Sequence, residues 1–88
     1  MAKAYNSQQS AAREKRLRRF KSITLQVLAL TEDVYEGKPG SGMYWIESSD
    51  FGKIVMYPKA DRLHLVKKNK WMDRMESWLK QNIIKEKF

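Results

Sequence analysis

Apolar residues recur at steps of three and four through the first third of the chain: Leu17, Phe20, Thr24, Val27, Leu28, Thr31 and Tyr35 share one helical stripe. Asn6, followed three positions later by Gln9, offers a capping pair, and no Gly or Pro interrupts the segment before Gly37. The spacing predicts a long first helix. Ile23, Leu25 and Val27 also alternate within residues 22–30, so a shorter helix followed by a strand is the competing assignment there. In Gly37-Lys-Pro-Gly-Ser-Gly42 the glycines and proline end the helix and turn the chain.

Beyond that linker the period changes to two. Met43–Glu47, Lys53–Tyr57 and Arg62–Val66 read as strands, with turn residues in Ser48–Gly52 and Pro58–Asp61. Closing the two hairpins pairs Glu47 with Lys53 and Tyr57 with Arg62. That register puts Tyr44, Ile46, Ile54, Met56, Leu63 and Leu65 on one face. The opposite face then carries Met43, Trp45, Glu47, Lys53, Val55, Tyr57, Arg62, His64 and Val66. A slip of one residue would mix the two sets, so the pattern itself selects the register. Asn69 is placed to cap a last helix bearing Trp71, Met72, Met75, Trp78, Leu79, Asn82 and Ile83 on one side. The expected fold is α+β: a long N-terminal helix, a three-stranded antiparallel sheet of two hairpins, and a C-terminal helix. Residues 1–16 form a basic polar arm or extended helix start, and residues 17–88 one small domain. Both helices are expected on the apolar face, with one helix on each face as the alternative.

Charge sharpens this picture. The 88 residues carry a formal net charge of +8, distributed as +6 over residues 1–21, −4 over 22–52 and +6 over 53–88. Two basic ends around an acidic middle produce a directional field that attracts an anionic partner. The densest run spans Arg13–Lys21, where Arg13, Lys15, Arg16, Arg18, Arg19 and Lys21 face a single acidic residue, Glu14. Leu17 and Phe20 anchor this run in the core stripe, while Lys15, Arg18 and Arg19 point away from it. The widened apolar surface of the helix, with Ile23 and Leu30 beside the stripe, suits deep burial or a homodimer contact.

The sequence gives little support for catalysis. There is no cysteine and only one histidine. No Gly-rich phosphate loop precedes a helix, and no His/carboxylate spacing suggests a metal. Glu32, Asp33 and Glu36 read as exposed side chains near a helix end. No cofactor is implied. The absence of cysteine fits a reducing, cytoplasmic setting. The longest apolar-rich stretch, Ile23–Leu30, is far short of the roughly 20 residues of a membrane span, so no span is expected, and the basic first helix lying on an anionic membrane is the least favoured reading.

Binding residues are easier to name. Trp45 and Tyr57 supply flat rings beside Lys53 and Arg62, the combination that stacks bases and neutralises phosphates in single-strand binders, and His64 lies on the same face. Lys67, Lys68 and Lys70 cluster before the expected last helix, whose N-terminus would reinforce a phosphate contact. The helix-strand-strand-strand-helix order, with these lysines at the start of the last helix, resembles the layout of double-stranded RNA-binding domains. The Gly-Pro-x-His-type loop of that family has no counterpart in Ser48–Gly52, and the last helix here is rich in Trp and Met. The expectation is a small non-enzymatic nucleic-acid-binding protein. Arg13, Lys15, Arg16, Arg18, Arg19, Lys53, Arg62, Lys67, Lys68 and Lys70 would contact phosphates, and Trp45, Tyr57 and His64 would stack. The alternative is a protein-interaction module, an inhibitor or assembly factor, that docks on an acidic partner protein.

Overall fold

A computed structural model describes the backbone of residues 2–85 and the side chains from Ser10 to Lys85. The first helix is continuous: α1 (Ala2–Arg19) runs through a π-helical turn (Phe20–Thr24) into α2 (Leu25–Leu28). The strand alternative for residues 22–30 is thereby excluded. Since the backbone is already helical at Ala2, Asn6 lies inside the helix; the side chains of Asn6 and Gln9 lie outside the described residues.

The widened turn brings the Leu25 N–H to the Phe20 carbonyl. Both of its apolar-stripe residues, Phe20 and Thr24, are buried. Leu17 is the first buried side chain among those described, so core contact begins where the stripe does.

The helix ends earlier than the stripe predicts. The N–H groups of Thr31 and Glu32 both bond to the Leu28 carbonyl, closing a turn. Tyr35 then enters a two-residue edge strand, β1 (Tyr35–Glu36), opposite β2 (Tyr44–Ser48). Tertiary pairing overrides helical spacing here: Tyr35 stacks on Trp45 at 4.5 Å, and the Gly37 N–H bonds to the Met43 carbonyl at 2.8 Å.

The two predicted hairpins form in the predicted register. β2 pairs with β3 (Gly52–Tyr57) with Glu47 opposite Lys53, and β3 pairs with β4 (Arg62–Leu65) with Tyr57 opposite Arg62. Ser48 shapes the first turn, its Oγ accepting from the N–H groups of Asp50 and Phe51 at 3.2 Å each. Gly52 completes that turn at φ +74°, a conformation that side chains disfavour. A short 3-10 turn, Pro58–Ala60, and Asp61 at φ 55° build the second.

The C-terminal region differs most from expectation. Lys70–Asp73 is a fifth strand, β5, antiparallel to β4, and the last helix α3 (Met75–Leu79) begins five residues later than Lys70 before a second π-helical turn, Lys80–Ile84. Asn69 does not cap a helix. It sits at φ 51° with its N–H bonded to the Val66 carbonyl at 3.1 Å, reversing the chain in a tight hairpin. Trp71, Met72, Met75 and Trp78 mimic a helical stripe, but Met72 opposes Leu63 and Trp71 opposes His64, so the strand sends them to opposite faces.

The sheet is therefore a five-stranded antiparallel meander in the order β1-β2-β3-β4-β5, rather than three-stranded. The two extra strands, and the position of Lys67, Lys68 and Lys70 around a hairpin, depart from the double-stranded RNA-binding layout. The α+β architecture holds.

Both helical segments cover one sheet face. Leu17, Phe20 and Leu28 from the N-terminal helix and Met75, Leu79 and Ile84 from the C-terminal segment pack with Tyr44, Ile46, Ile54, Met56, Leu63 and Leu65. Thr24 is the only buried polar or charged residue among those described. Its hydroxyl donates to Glu76 Oε2 at 2.5 Å, while Arg19 pairs with Glu76 Oε1 at 3.2 Å. Glu76 thus latches the first helix to the last. Partial burial alone would raise its pKa, but the Thr24 hydrogen bond and the Arg19 guanidinium more than offset that and hold it below the ordinary value of 4.5. A lowered carboxylate pKa contributes stability above the unfolded value, and that contribution is lost as pH falls through the folded value. Glu76→Gln is expected to cost about 1 kcal/mol at neutral pH, modest because Arg19 is largely solvated. Urea unfolding of both proteins between about pH 7 and pH 3 should show the difference shrinking with acid. A gap that stays constant over that range would rule out the carboxylate as its source.

Candidate nucleic-acid interface

With both helices on one side, the other sheet face has no described element over it. The register aligns Tyr35, Trp45, Val55, His64 and Trp71 as successive cross-strand partners, so one row of side chains crosses all five strands. At about 4.8 Å per strand the row is about 19 Å wide. Its two ends are built alike. At one, Tyr35 stacks on Trp45 at 4.5 Å and the Lys53 ammonium lies 4.5 Å from the Trp45 ring centre. At the other, His64 stacks on Trp71 at 4.5 Å, Tyr57 lies against Trp71 at 5.4 Å, and the Arg62 guanidinium is 5.0 Å from the Trp71 ring centre.

Each Trp thus has a stacked ring and a cation against it, contacts that favour one orientation of its side chain. Between the two groups Val55 is only 8% exposed, which the larger side chains around it explain, whereas Tyr35 and Trp71 remain 45% and 47% exposed. Such a row of solvent-facing aromatics is unusual for a surface without a partner. His64 is tied down: its Nε2 lies 3.0 Å from Asn69 Oδ1, so with the amide oxygen as acceptor Nε2 carries the proton. Its roles here are stacking and hydrogen bonding.

Cations lie at both ends of the strands. Toward the Ser48–Gly52 turn are Lys53 on the open face and Lys67 and Lys68 in the β4–β5 turn, with the Lys67 side chain lying beside Gly52. Lys70 starts β5 opposite Leu65 on the edge strand. The lysine cluster therefore lacks the helix N-terminus expected to reinforce it, and its contribution is ammonium charge on an exposed hairpin.

Toward the Pro58–Ala60 turn are Lys59, Arg62 and the start of the basic helical run. A cleft of about 260 Å³ is lined there by Arg13, Ser41, Gly42, Tyr57, Lys59, Ala60, Arg62 and Trp71, joining α1 to the open face.

The helical cations divide by task. Arg16 Nε donates to the Lys59 carbonyl at 2.7 Å and Arg19 pairs with Glu76, so both fasten the helix to the body. Glu14 pairs with Lys59 at 3.1 Å. Arg13, Lys15 and Arg18 are exposed. The structure therefore brings Arg13 and Arg62 together, with Trp71 and Tyr57. Lys15, Arg18 and the β4–β5 lysines do not line that cleft.

Tyr35 and Trp71 are the members of the row that sequence reasoning missed, because each also fits a helical stripe. The Trp71 signal was present: Arg62–Leu65 and Lys70–Asp73 flank a four-residue turn ending in Asn, and folding them together sets Arg62 against Asp73, which form an ion pair at 2.9 Å.

Glu32 and Asp33 lie in the turn after α2 and Glu36 on β1; among the described residues no group of three or more His, Asp or Glu is placed to hold a metal ion. No helix among the described residues is long and apolar enough to cross a membrane. Comparisons of the chain with models of known protein families, with curated proteins and with solved structures found no match.

Proposed function

We propose that this chain is a small non-enzymatic nucleic-acid-binding protein that lays a single strand along the open sheet face. The observation that carries this reading is the row Tyr35–Trp45–Val55–His64–Trp71, with cations at both ends of its strands. Bases have π-faces that suit ordered Trp and Tyr rings whatever their sequence, and the phosphates on either side of a stacked strand require positive charge flanking the row. Lys53, Lys67 and Lys68 supply it at one end, Arg13 and Arg62 at the other. Glu47 and Asp73 lie on the same face, but each has a cationic neighbour, Lys53 across the strand pair and Arg62 in an ion pair.

The test is fluorescence anisotropy with a labelled single-stranded oligonucleotide across a salt series. Binding should weaken linearly on a log-log plot, with a slope near −0.7 for each phosphate contacted, so about −3 for roughly four contacts. A duplex of the same sequence should bind more weakly, because its bases are unavailable for stacking. Absence of binding at low salt, together with a stoichiometric protein partner that survives nuclease during purification, would transfer this face to recognition of an acidic protein.

A further inference from the structure

We infer that the cleft between α1 and the Trp71 edge of the sheet is a phosphate subsite of the bound strand, formed by Arg13, Lys59 and Arg62 with Tyr57 and Trp71 as its aromatic wall. This rests on the single-strand reading and adds a location and a direction to it: the strand leaves the aromatic row at Trp71 and passes its phosphate to the first helix. Three cations from three separate elements line a space of about 260 Å³, and two rings of the open face line it too. A phosphate held there is attached to a nucleotide close enough to stack on the row.

Two of the cations are oriented by exposed carboxylates. Lys59 pairs with Glu14 at 3.1 Å and Arg62 with Asp73 at 2.9 Å, and the Glu14 and Asp73 side chains are 55% and 80% exposed. Ion pairs to carboxylates this exposed contribute little and exchange readily, so an entering phosphate can take over these donors. Among the described residues Arg13 has no ion-pair or hydrogen-bond partner, leaving its planar guanidinium available for bidentate contact with phosphate oxygens. The Arg16 bond to the Lys59 carbonyl at 2.7 Å holds the helix against the turn that carries Lys59, keeping the two walls of the cleft in register. With Glu14 and Asp73 counted, the local charge remains positive through Arg13.

A strand offers phosphate at its terminus and at its interior linkages, and the experiment separates the two. Anisotropy titrations would use an oligonucleotide of about four nucleotides, with a 5′-phosphate, a 3′-phosphate or neither, and one of about twelve nucleotides, within the usual range of single-strand site sizes. Arg13→Gln is expected to weaken binding about fivefold at low salt and to reduce the salt slope by about 0.7, the loss of one phosphate contact. A loss confined to one phosphorylated short oligonucleotide identifies a terminal phosphate, and a loss in every arm, the unphosphorylated one included, identifies an internal one. If Arg13→Gln matches the parent protein in every arm while Trp71→Leu loses affinity, the subsite is wrong and the aromatic row stands. If the parent protein binds none of these oligonucleotides, both readings fall.

Discussion

Trp71→Leu is expected to weaken binding of a short single-stranded oligonucleotide about tenfold, and Trp45→Leu with Trp71→Leu about a hundredfold, because each stacked base contributes roughly 1 to 3 kcal/mol. Leucine keeps much of the apolar area but has no π-face, and it also removes the ring on which Arg62 and His64 rest. Trp71→Phe retains a ring and should recover most of the affinity. The comparison of Leu with Phe therefore separates stacking from simple apolar contact. Trp71 lies on an edge strand and is 47% exposed, so its replacement leaves the helix-covered core unchanged, which circular dichroism and urea unfolding would verify. Equal affinity of the Leu and parent proteins would remove the aromatic row from the interface and leave only helical and hairpin cations to bind phosphate. Such binding would have the same salt dependence and no benefit from unpaired bases.

Phe20→Ala is expected to lower stability by about 3 to 5 kcal/mol, a large share of the roughly 5 to 10 kcal/mol available to a domain of this size. Phe20 is 2% exposed, its ring centre is 5.0 Å from that of Tyr44, and it sits at the start of the π-helical turn that widens the first helix over the sheet. A methyl group in its place leaves a cavity between helix and sheet that rigid neighbours on both sides only partly close. The measurement is the urea midpoint, with an unchanged m value showing that the transition remains two-state. Leu30→Ala serves as the control. Leu30 is 81% exposed, so its truncation should change stability by less than about 0.5 kcal/mol. A comparable loss in both variants would mean that the helix does not bury the face assigned to it.

Core and open face meet at the sheet, one covered by the helices and the other carrying the aromatic row. Met56 is fully buried beneath the helices, whereas its neighbour Tyr57 turns to the open face and touches Trp71. Alternation along β3 and β4 thus supplies the core and the proposed binding surface from adjacent residues. The ends of the strands then decide which cations accompany the rings.

Much of this was legible in the chain. Alternation in residues 43–66, with turn residues at either end of β3, determined both hairpins, their register and the apolar face, because side chains in a strand have a strict period of two and a slip exposes the whole apolar set. The stripe from Leu17 to Leu28 determined the first helix and where its burial begins, since three- and four-residue steps coincide only on a helical surface. The +8 charge and its concentration at Arg13–Lys21 pointed to an anionic partner.

Tertiary structure alone decided the two outer strands. Tyr35 and Trp71 each satisfy a helical period as well as a strand, and short apolar patterns do not distinguish the two; the partners Trp45 and His64, supplied from elsewhere in the chain, settle it through backbone pairing and ring stacking. The same pairing converted the lysine cluster from a helix start into a hairpin and extended the aromatic face from edge to edge. It also divided the basic run, because which cations latch the helix and which stay available depends on Lys59 and Glu76, residues distant in sequence whose positions no local pattern records.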